Sequence, residues 1–228
     1  MFIVFDLDGT LIDGYAGITD ALGFAMETLG IAPLPEEQVR GMVGQGLERL
    51  LEKAVGAERV PRGVALFRER YAIVFQEKTA LLPDVPAVLA QLAAEGHAMS
   101  VASNKPARFS RRILEGKGVA ERFRAIAGPD AETPPKPDPT MLLRLIKEAD
   151  AAPDETVVVG DMEIDAQMAS AAGCHAVLIP GGSRSAAELA LVEADAHLTR
   201  IADLPDWISR AVDASRKASS STGAERAG

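Results

Sequence analysis

Cysteine is nearly absent from this sequence. Cys174 is the single one, so no disulfide can form within the chain. A reducing compartment fits that usage, and the expected location is the cytoplasm. Cys174 follows Gly173 and precedes an apolar run, a setting for packing rather than for thiol chemistry. Histidine is also scarce: His97, His175 and His197 lack metal-ligand spacing, which argues against a histidine-built metal site. Aromatic residues make up 4% of the chain, too few for a base-stacking platform. Basic residues are outnumbered, with 24 Lys plus Arg against 33 Asp plus Glu, a formal charge of −9. An acidic surface repels polyphosphate backbones, so no nucleic-acid partner is expected. A small anion can still be a substrate if a metal ion or a few placed lysines supply local positive charge. Long apolar runs are missing too. No segment approaches the roughly 20 apolar residues of a membrane span. The start Met1-Phe2-Ile3-Val4-Phe5 has neither the basic leader nor the apolar length of a signal peptide. The expectation is a soluble protein with no membrane partner.

What is present is a run of 228 residues, enough for one substantial core or a core with a smaller insertion. Apolar, β-branched segments at 2–5, 97–102, 156–159 and 176–179 read as buried strands, with shorter candidates at 124–127 and 196–199. Helical patterns lie between them. Asp84 stands where it would N-cap a helix running to Glu95 and stopped by Gly96. Pro106 falls near the first turn of the next helix, and Asp138-Pro139 opens another. A further helix is expected from about Ile164 to Ala172, and Ser185 with Glu188 has capping-box spacing. Strands alternating with helices predict an α/β fold with a parallel sheet, whose ligands bind at the carboxyl ends of the strands. Asp6, Ser103 and Asp161 all fall at such ends. Residues 14–80 carry helical patterns, such as Ile18–Leu29 and Leu47–Val55, and read as a helical insertion after the first strand. The tail from about Ser215 is small and polar and is expected to be disordered.

Four stretches carry chemistry. Asp6-Leu7-Asp8-Gly9-Thr10 puts two carboxylates at a strand end, with a glycine that allows a sharp turn. Buried together, they need a cation, and magnesium favours such hard oxygen ligands. Ser103-Asn104-Lys105 lies where a strand meets a helix and reads either as an N-cap or as a phosphate seat. Lys136 stands between prolines, which restrict where it can point. Asp161 and Asp165 follow another strand, four residues apart, on one face if the helix has begun by then.

In this order and on these elements, the four stretches resemble the haloacid dehalogenase superfamily, across the chain to about residue 210. The resemblance implies a Rossmann-like core at 1–13 and 81–214, a parallel sheet flanked by helices, and a small helical cap domain at 14–80. It implies a magnesium-dependent phosphatase in which Asp6 attacks phosphorus and Asp8 acts as acid and then base. Ser103 and the Asn104 backbone would hold phosphoryl oxygens, and Lys136 would offset charge. Magnesium would sit on Asp6, the Asp8 carbonyl and Asp161, with Asp165 orienting that shell. Gly44-Gln45-Gly46 resembles the substrate-touching cap loop of phosphoglycolate phosphatases. A carboxylic acid at Asp8 is similar to phosphatases and phosphomutases and unlike the dehalogenases, phosphonatases and transport ATPases of the superfamily. The implied substrate is a small phosphorylated metabolite, with a β-phosphoglucomutase-like mutase or a pyrophosphatase as the alternative. Gly14 and Met162 depart from the usual residues at their places without removing a catalytic group.

Overall fold

The computed structural model describes residues 1–213; the tail expected to be disordered lies outside them. The chain opens with β1 (Phe2–Phe5) and β2 (Ile12–Asp13). Four helices follow: α1 (Tyr15–Thr28), α2 (Glu36–Arg40), α3 (Leu47–Val55) and α4 (Val60–Val74). Then come β3 (Ala80–Leu81), α5 (Val85–Ala94), β4 (Ala98–Ala102), α6 (Ala107–Gly116) and β5 (Ile126–Ala127). The last third holds α7 (Thr140–Ala149), β6 (Thr156–Gly160), α8 (Glu163–Ala171), β7 (His175–Leu178), α9 (Ala186–Leu189) and β8 (Ala196–His197). Residues 204–213 are helical.

Six strands form one parallel sheet in the order β5-β4-β1-β6-β7-β8. The period-2 geometry of a strand explains why β1 has no polar face. Ile3 and Phe5 enter one core cluster, while Phe2 and Val4 enter another on the opposite side. In β6, Val157 and Val159 join the first cluster and Val158 the second. The strand order reverses at β1, between β4 and β6, which makes the crevice beyond their carboxyl ends the topological switch point.

The helical segment leaves and re-enters the sheet region through a two-stranded antiparallel ribbon, in which Ile12 pairs with Leu81 and Asp13 with Ala80. Neither strand of this ribbon falls among the segments that read as strands, unlike the equally short β5 and β8. Apolar packing is continuous across the boundary, because Leu22, Leu51 and Phe67 belong to the same buried cluster as Phe5 and Val101. The capping box at Ser185 forms: its Oγ accepts from Glu188 N at 3.3 Å, and Glu188 Oε2 accepts from Ser185 N at 2.8 Å. Asp84 does precede α5, but it takes a left-handed φ of 65° and its side chain makes no capping bond. Cys174 is half-buried, and burial together with the charge of Asp154 pushes its thiol up to about 11, in keeping with a packing role.

Candidate active site

The parallel ladder continues one residue beyond β1, as Asp6 N donates to Val159 O at 2.8 Å. That bond fixes the Asp6 carboxylate at the sheet's carboxyl edge. The chain then turns at Gly9, with φ +89°, where a Cβ would lie 2.5 Å from Asp161 Oδ2. Only glycine leaves room for the turn to pass the Asp161 carboxylate. Asp161 follows β6 and is fully buried. Its Oδ2 accepts from Ser183 N at 3.2 Å. A Cβ on Gly182 would come within 1.9 Å of the same oxygen. The glycines after β7 thus bring the backbone against Asp161, a function that the sequence reading did not assign to them.

Asp165 sits in the first turn of α8, where its Oδ2 accepts from Met162 N at 3.1 Å. The helix begins at Glu163, after Asp161, so the two carboxylates do not share a helix face. They converge because the strand-to-helix turn folds them together. Carboxylate oxygens of Asp6, Asp161 and Asp165 all lie within 4.8 Å of one another, and all three residues are buried. Lys136 Nζ reaches into this group, 2.6 Å from both Asp6 Oδ1 and Asp165 Oδ1.

Three buried carboxylates around one ammonium leave a local excess of negative charge. Burial raises the Asp161 carboxyl well above its ordinary value, and the charges of Asp6 and Asp165 add to that. Burial likewise pushes Asp165 up to about 6, against the lowering pull of Lys136 and with the help of Asp6. Burial alone would lower Lys136, but Asp165 and Asp6 outweigh it and hold the ammonium above its ordinary value. The donor set is all hard carboxylate oxygen in a pocket short of positive charge, which fits magnesium.

Asp8 does not enter this cluster with its side chain. Its Oδ1 and Oδ2 accept from Lys105 Nζ at 2.8 and 2.6 Å. Lys105 stands in the Ser103-Asn104-Lys105 stretch, and nothing in local sequence announces a partner 97 positions away. Ser103 is buried at the end of β4, and its Oγ accepts from Lys105 N at 3.2 Å. The N-cap alternative for Ser103 is removed, because α6 starts at Ala107. Asn104 ties three stretches together: its Nδ2 donates to Gly44 O at 2.9 Å and to Lys136 O at 3.2 Å, and its Oδ1 accepts from Lys136 N at 2.7 Å.

A cavity of about 110 Å³ opens over Asp6 and Asp8, and Ser103, Asn104, Lys105 and Lys136 line it. Gly44 and Gly46 line it from the helical segment. Gln45 between them does not; its side chain faces a neighbouring depression with Arg49 and Glu163, and its Oε1 accepts from Lys53 Nζ at 3.2 Å. The positive φ values of Gly44 and Gly46, +120° and +94°, turn the backbone so that alternate residues face different ways.

A sheet that reverses at β1, with carboxylates at the ends of β1 and β6 and a lysine from the loop before α7, defines a known class of hydrolase. The family of haloacid dehalogenase-like hydrolases matches residues 3–179, and the chain belongs to it. Phosphoglycolate phosphatase of Rhodospirillum rubrum is 34% identical over 217 residues, covering 90% of each chain. That of Yersinia pseudotuberculosis is 33% identical over 209 residues, covering 89% of this chain and 90% of its own. A haloacid dehalogenase-like family hydrolase from Streptococcus pneumoniae superposes with a TM-score of 0.84 at 21% identity, covering 90% of this chain and 96% of its own. Within its family the chain is a phosphatase, a phosphoric monoester hydrolase resembling the phosphoglycolate phosphatases.

Proposed function

We propose that this phosphatase hydrolyses a small, phosphoglycolate-like phosphomonoester through a phosphoaspartate on Asp6, with magnesium as cofactor. The observation that carries the reading is the buried meeting of Asp6, Asp161 and Asp165 around Lys136, with Asp8 across the same cavity. Asp6, Asp161 and the Asp8 carbonyl would hold the metal, and Asp165 would orient them. Magnesium, when bound, supplies positive charge at the phosphoryl oxygens and at Asp6.

The chain's own residues do the rest. A carboxylate oxygen of Asp6 attacks phosphorus as the bond to the leaving oxygen breaks, and Asp8 gives that oxygen its proton. Asp8 then takes a proton from water, whose oxygen attacks the phosphoaspartate. The bond between phosphorus and the Asp6 oxygen breaks, and phosphate leaves. Ser103 and the Asn104 backbone hold the phosphoryl oxygens, and Lys136 offsets their charge. Residues 14–80 act as a cap that closes over the site and excludes water, presenting the backbone of Gly44 and Gly46 towards substrate while the Gln45 side chain faces the neighbouring depression. The Asn104 bond to Gly44 supports this, because it links that loop directly to the phosphate seat. Such a substrate is a metabolite of the cytoplasm, and no described helix is long and apolar enough to cross a membrane.

Phosphate release from a panel of phosphorylated metabolites, with magnesium and with EDTA, tests the reading. Release from short phosphomonoesters that stops with EDTA is expected. Isomerisation of a sugar phosphate without net phosphate release would favour the mutase alternative instead.

A further inference from the structure

Lys105 can hold Asp8 only as firmly as it is held itself. A free lysine side chain samples many rotamers, and fixing one of them has an entropic cost. Here both ends of the residue are fixed. Its backbone N donates to Ser103 Oγ at 3.2 Å, in the phosphate seat. Its Nζ donates to both oxygens of Asp8, and its side chain is almost fully buried. An ammonium has a third N–H to place. That one goes to the hydroxyl of Tyr71 on α4, whose ring centroid lies 5.3 Å from Nζ. Burial alone would lower Lys105, but Asp8 and Tyr71 outweigh it and hold the ammonium above its ordinary value. Burial also keeps the Tyr71 phenol protonated, so towards Lys105 it is a neutral acceptor.

Tyr71 is itself locked by packing. The residue is buried, its ring stacks on Phe67 with centroids 5.4 Å apart, and it meets Phe109 of α6 edge-on at 5.3 Å. Among the described residues its hydroxyl has no hydrogen-bond partner besides Lys105. Two other polar side chains of the cavity are engaged elsewhere: Asn104 with Gly44 and Lys136, and Arg68 with Glu48 at 3.6 Å. Asp8 is confined from a further side, since a Cβ on Gly14 would lie 2.8 Å from its Oδ1. We propose that Tyr71 is a positioning residue for the acid and base: through Lys105 it fixes the direction of the Asp8 carboxylate. The inference rests on the reading above, in which Asp8 serves the leaving oxygen and then water. Proton transfer needs the two oxygens within hydrogen-bond reach, so an Asp8 that wanders slows the chemistry without weakening substrate binding. Tyr71 belongs to the helical segment, whereas Lys105 and Asp8 belong to the core. Asp8 is therefore aligned only while that segment packs against α6.

The experiment combines steady-state and single-turnover kinetics, with magnesium, on the wild type, Tyr71→Phe, Asp8→Asn and the double variant. Tyr71→Phe is expected to lower kcat on phosphoglycolate about tenfold while KM stays within about twofold. Single-turnover release of p-nitrophenol, a leaving group that needs no proton, should change less than about twofold. In the Asp8→Asn background, Tyr71→Phe should lower kcat no further, because the carboxylate it directs is gone. A tenfold loss that persists in that background would overturn the proposal, as would a rise in KM in place of the fall in kcat, or no change at all. If Tyr71→Phe fails to fold, Lys105→Met with and without Asp8→Asn decides: additive losses refute the chain from Tyr71 to Asp8. Wild-type turnover in Asp8→Asn would instead defeat the acid and base reading itself, and the positioning proposal with it.

Discussion

Two buried lysines brace this cavity, and they do so in different ways. Lys136 stands among the carboxylates at the ends of the central strands, bonded to Asp6 and Asp165 with Asp161 close by. Lys105 stands at the border with the helical segment, paired with Asp8 alone and next to Tyr71. The Lys105 pair is neutral. The Lys136 group is not, because three carboxylates meet one ammonium. The charge deficit is thus confined to the core side, which is where a divalent cation has a reason to bind, while the other side is already balanced and free to handle a leaving group.

The largest test of this division removes the nucleophile. Asp6→Asn keeps the shape but loses the attacking charge and one acidic oxygen of the cluster. Turnover with magnesium is expected to fall at least about a thousandfold, roughly 4 kcal/mol of barrier. Retention of more than about a tenth of the activity would remove the phosphoaspartate mechanism. On the other side, Asp8→Asn should leave attack on an ester with a good leaving group possible while stalling water attack on the intermediate. Rapid quench should then show a burst of leaving group followed by slow turnover. Uniform slowing without a burst, with chemistry limiting both steps, would mean that Asp8 does not divide its work in this way.

The lysines themselves come next. Lys136→Met leaves buried carboxylates without their cation, and a loss of about 3–5 kcal/mol in metal-free stability is expected. Lys105→Met strands only Asp8, which borders the open cavity, and about 1–3 kcal/mol is expected. Magnesium should restore more of the loss in Lys136→Met than in Lys105→Met, read by denaturant unfolding. Equal losses and equal rescue would erase the distinction between the two sides.

Much of this site was legible in the sequence, but not the lysine contrast. The apolar runs ending at Asp6, Ser103 and Asp161 placed those residues at strand ends, because a strand buried on both faces reads as a continuous apolar segment. The parallel sheet followed from the alternation of strands with helices. The pairing of Lys105 with Asp8 and the approach of Tyr71 depend on three elements meeting in space, and no periodicity encodes such a meeting. The β2–β3 ribbon escaped for a different reason, since its strands lie outside the segments read as strands, whereas the equally short β5 and β8 fall inside the candidates at 124–127 and 196–199. Gln45 was recognisable as loop, yet the direction of its side chain depends on the turn that its flanking glycines adopt.

A smaller effect concerns pH. Asp161 and Asp165 are both raised by burial, Asp165 to about 6. Between the ordinary carboxyl value and that range, the folded metal-free protein holds more protons than the unfolded chain, so its stability falls as pH rises through the window. Magnesium favours the ionised carboxylates and competes with those protons. The rise in Tm on adding magnesium should therefore be larger at about pH 7.5 than at about pH 5. An equal rise at both would place the metal's stabilising contacts elsewhere.

The smallest effect is expected at Gln45, where the two sides of the loop can be told apart. Gly44 and Gly46 line the cavity with their backbone, but the Gln45 side chain faces the neighbouring depression and accepts from Lys53. An exposed hydrogen bond of this kind contributes little, because water replaces either partner. Gln45→Ala should lower kcat/KM for phosphoglycolate by no more than about threefold. Steady-state kinetics on phosphoglycolate and p-nitrophenyl phosphate decides the matter. A loss of tenfold or so confined to phosphoglycolate would show that the loop turns Gln45 inward when substrate binds. Equal losses on both substrates would assign it to closure of the helical segment. In either case the loop, rather than the lysine contrast alone, would govern how the cavity reads its ligand.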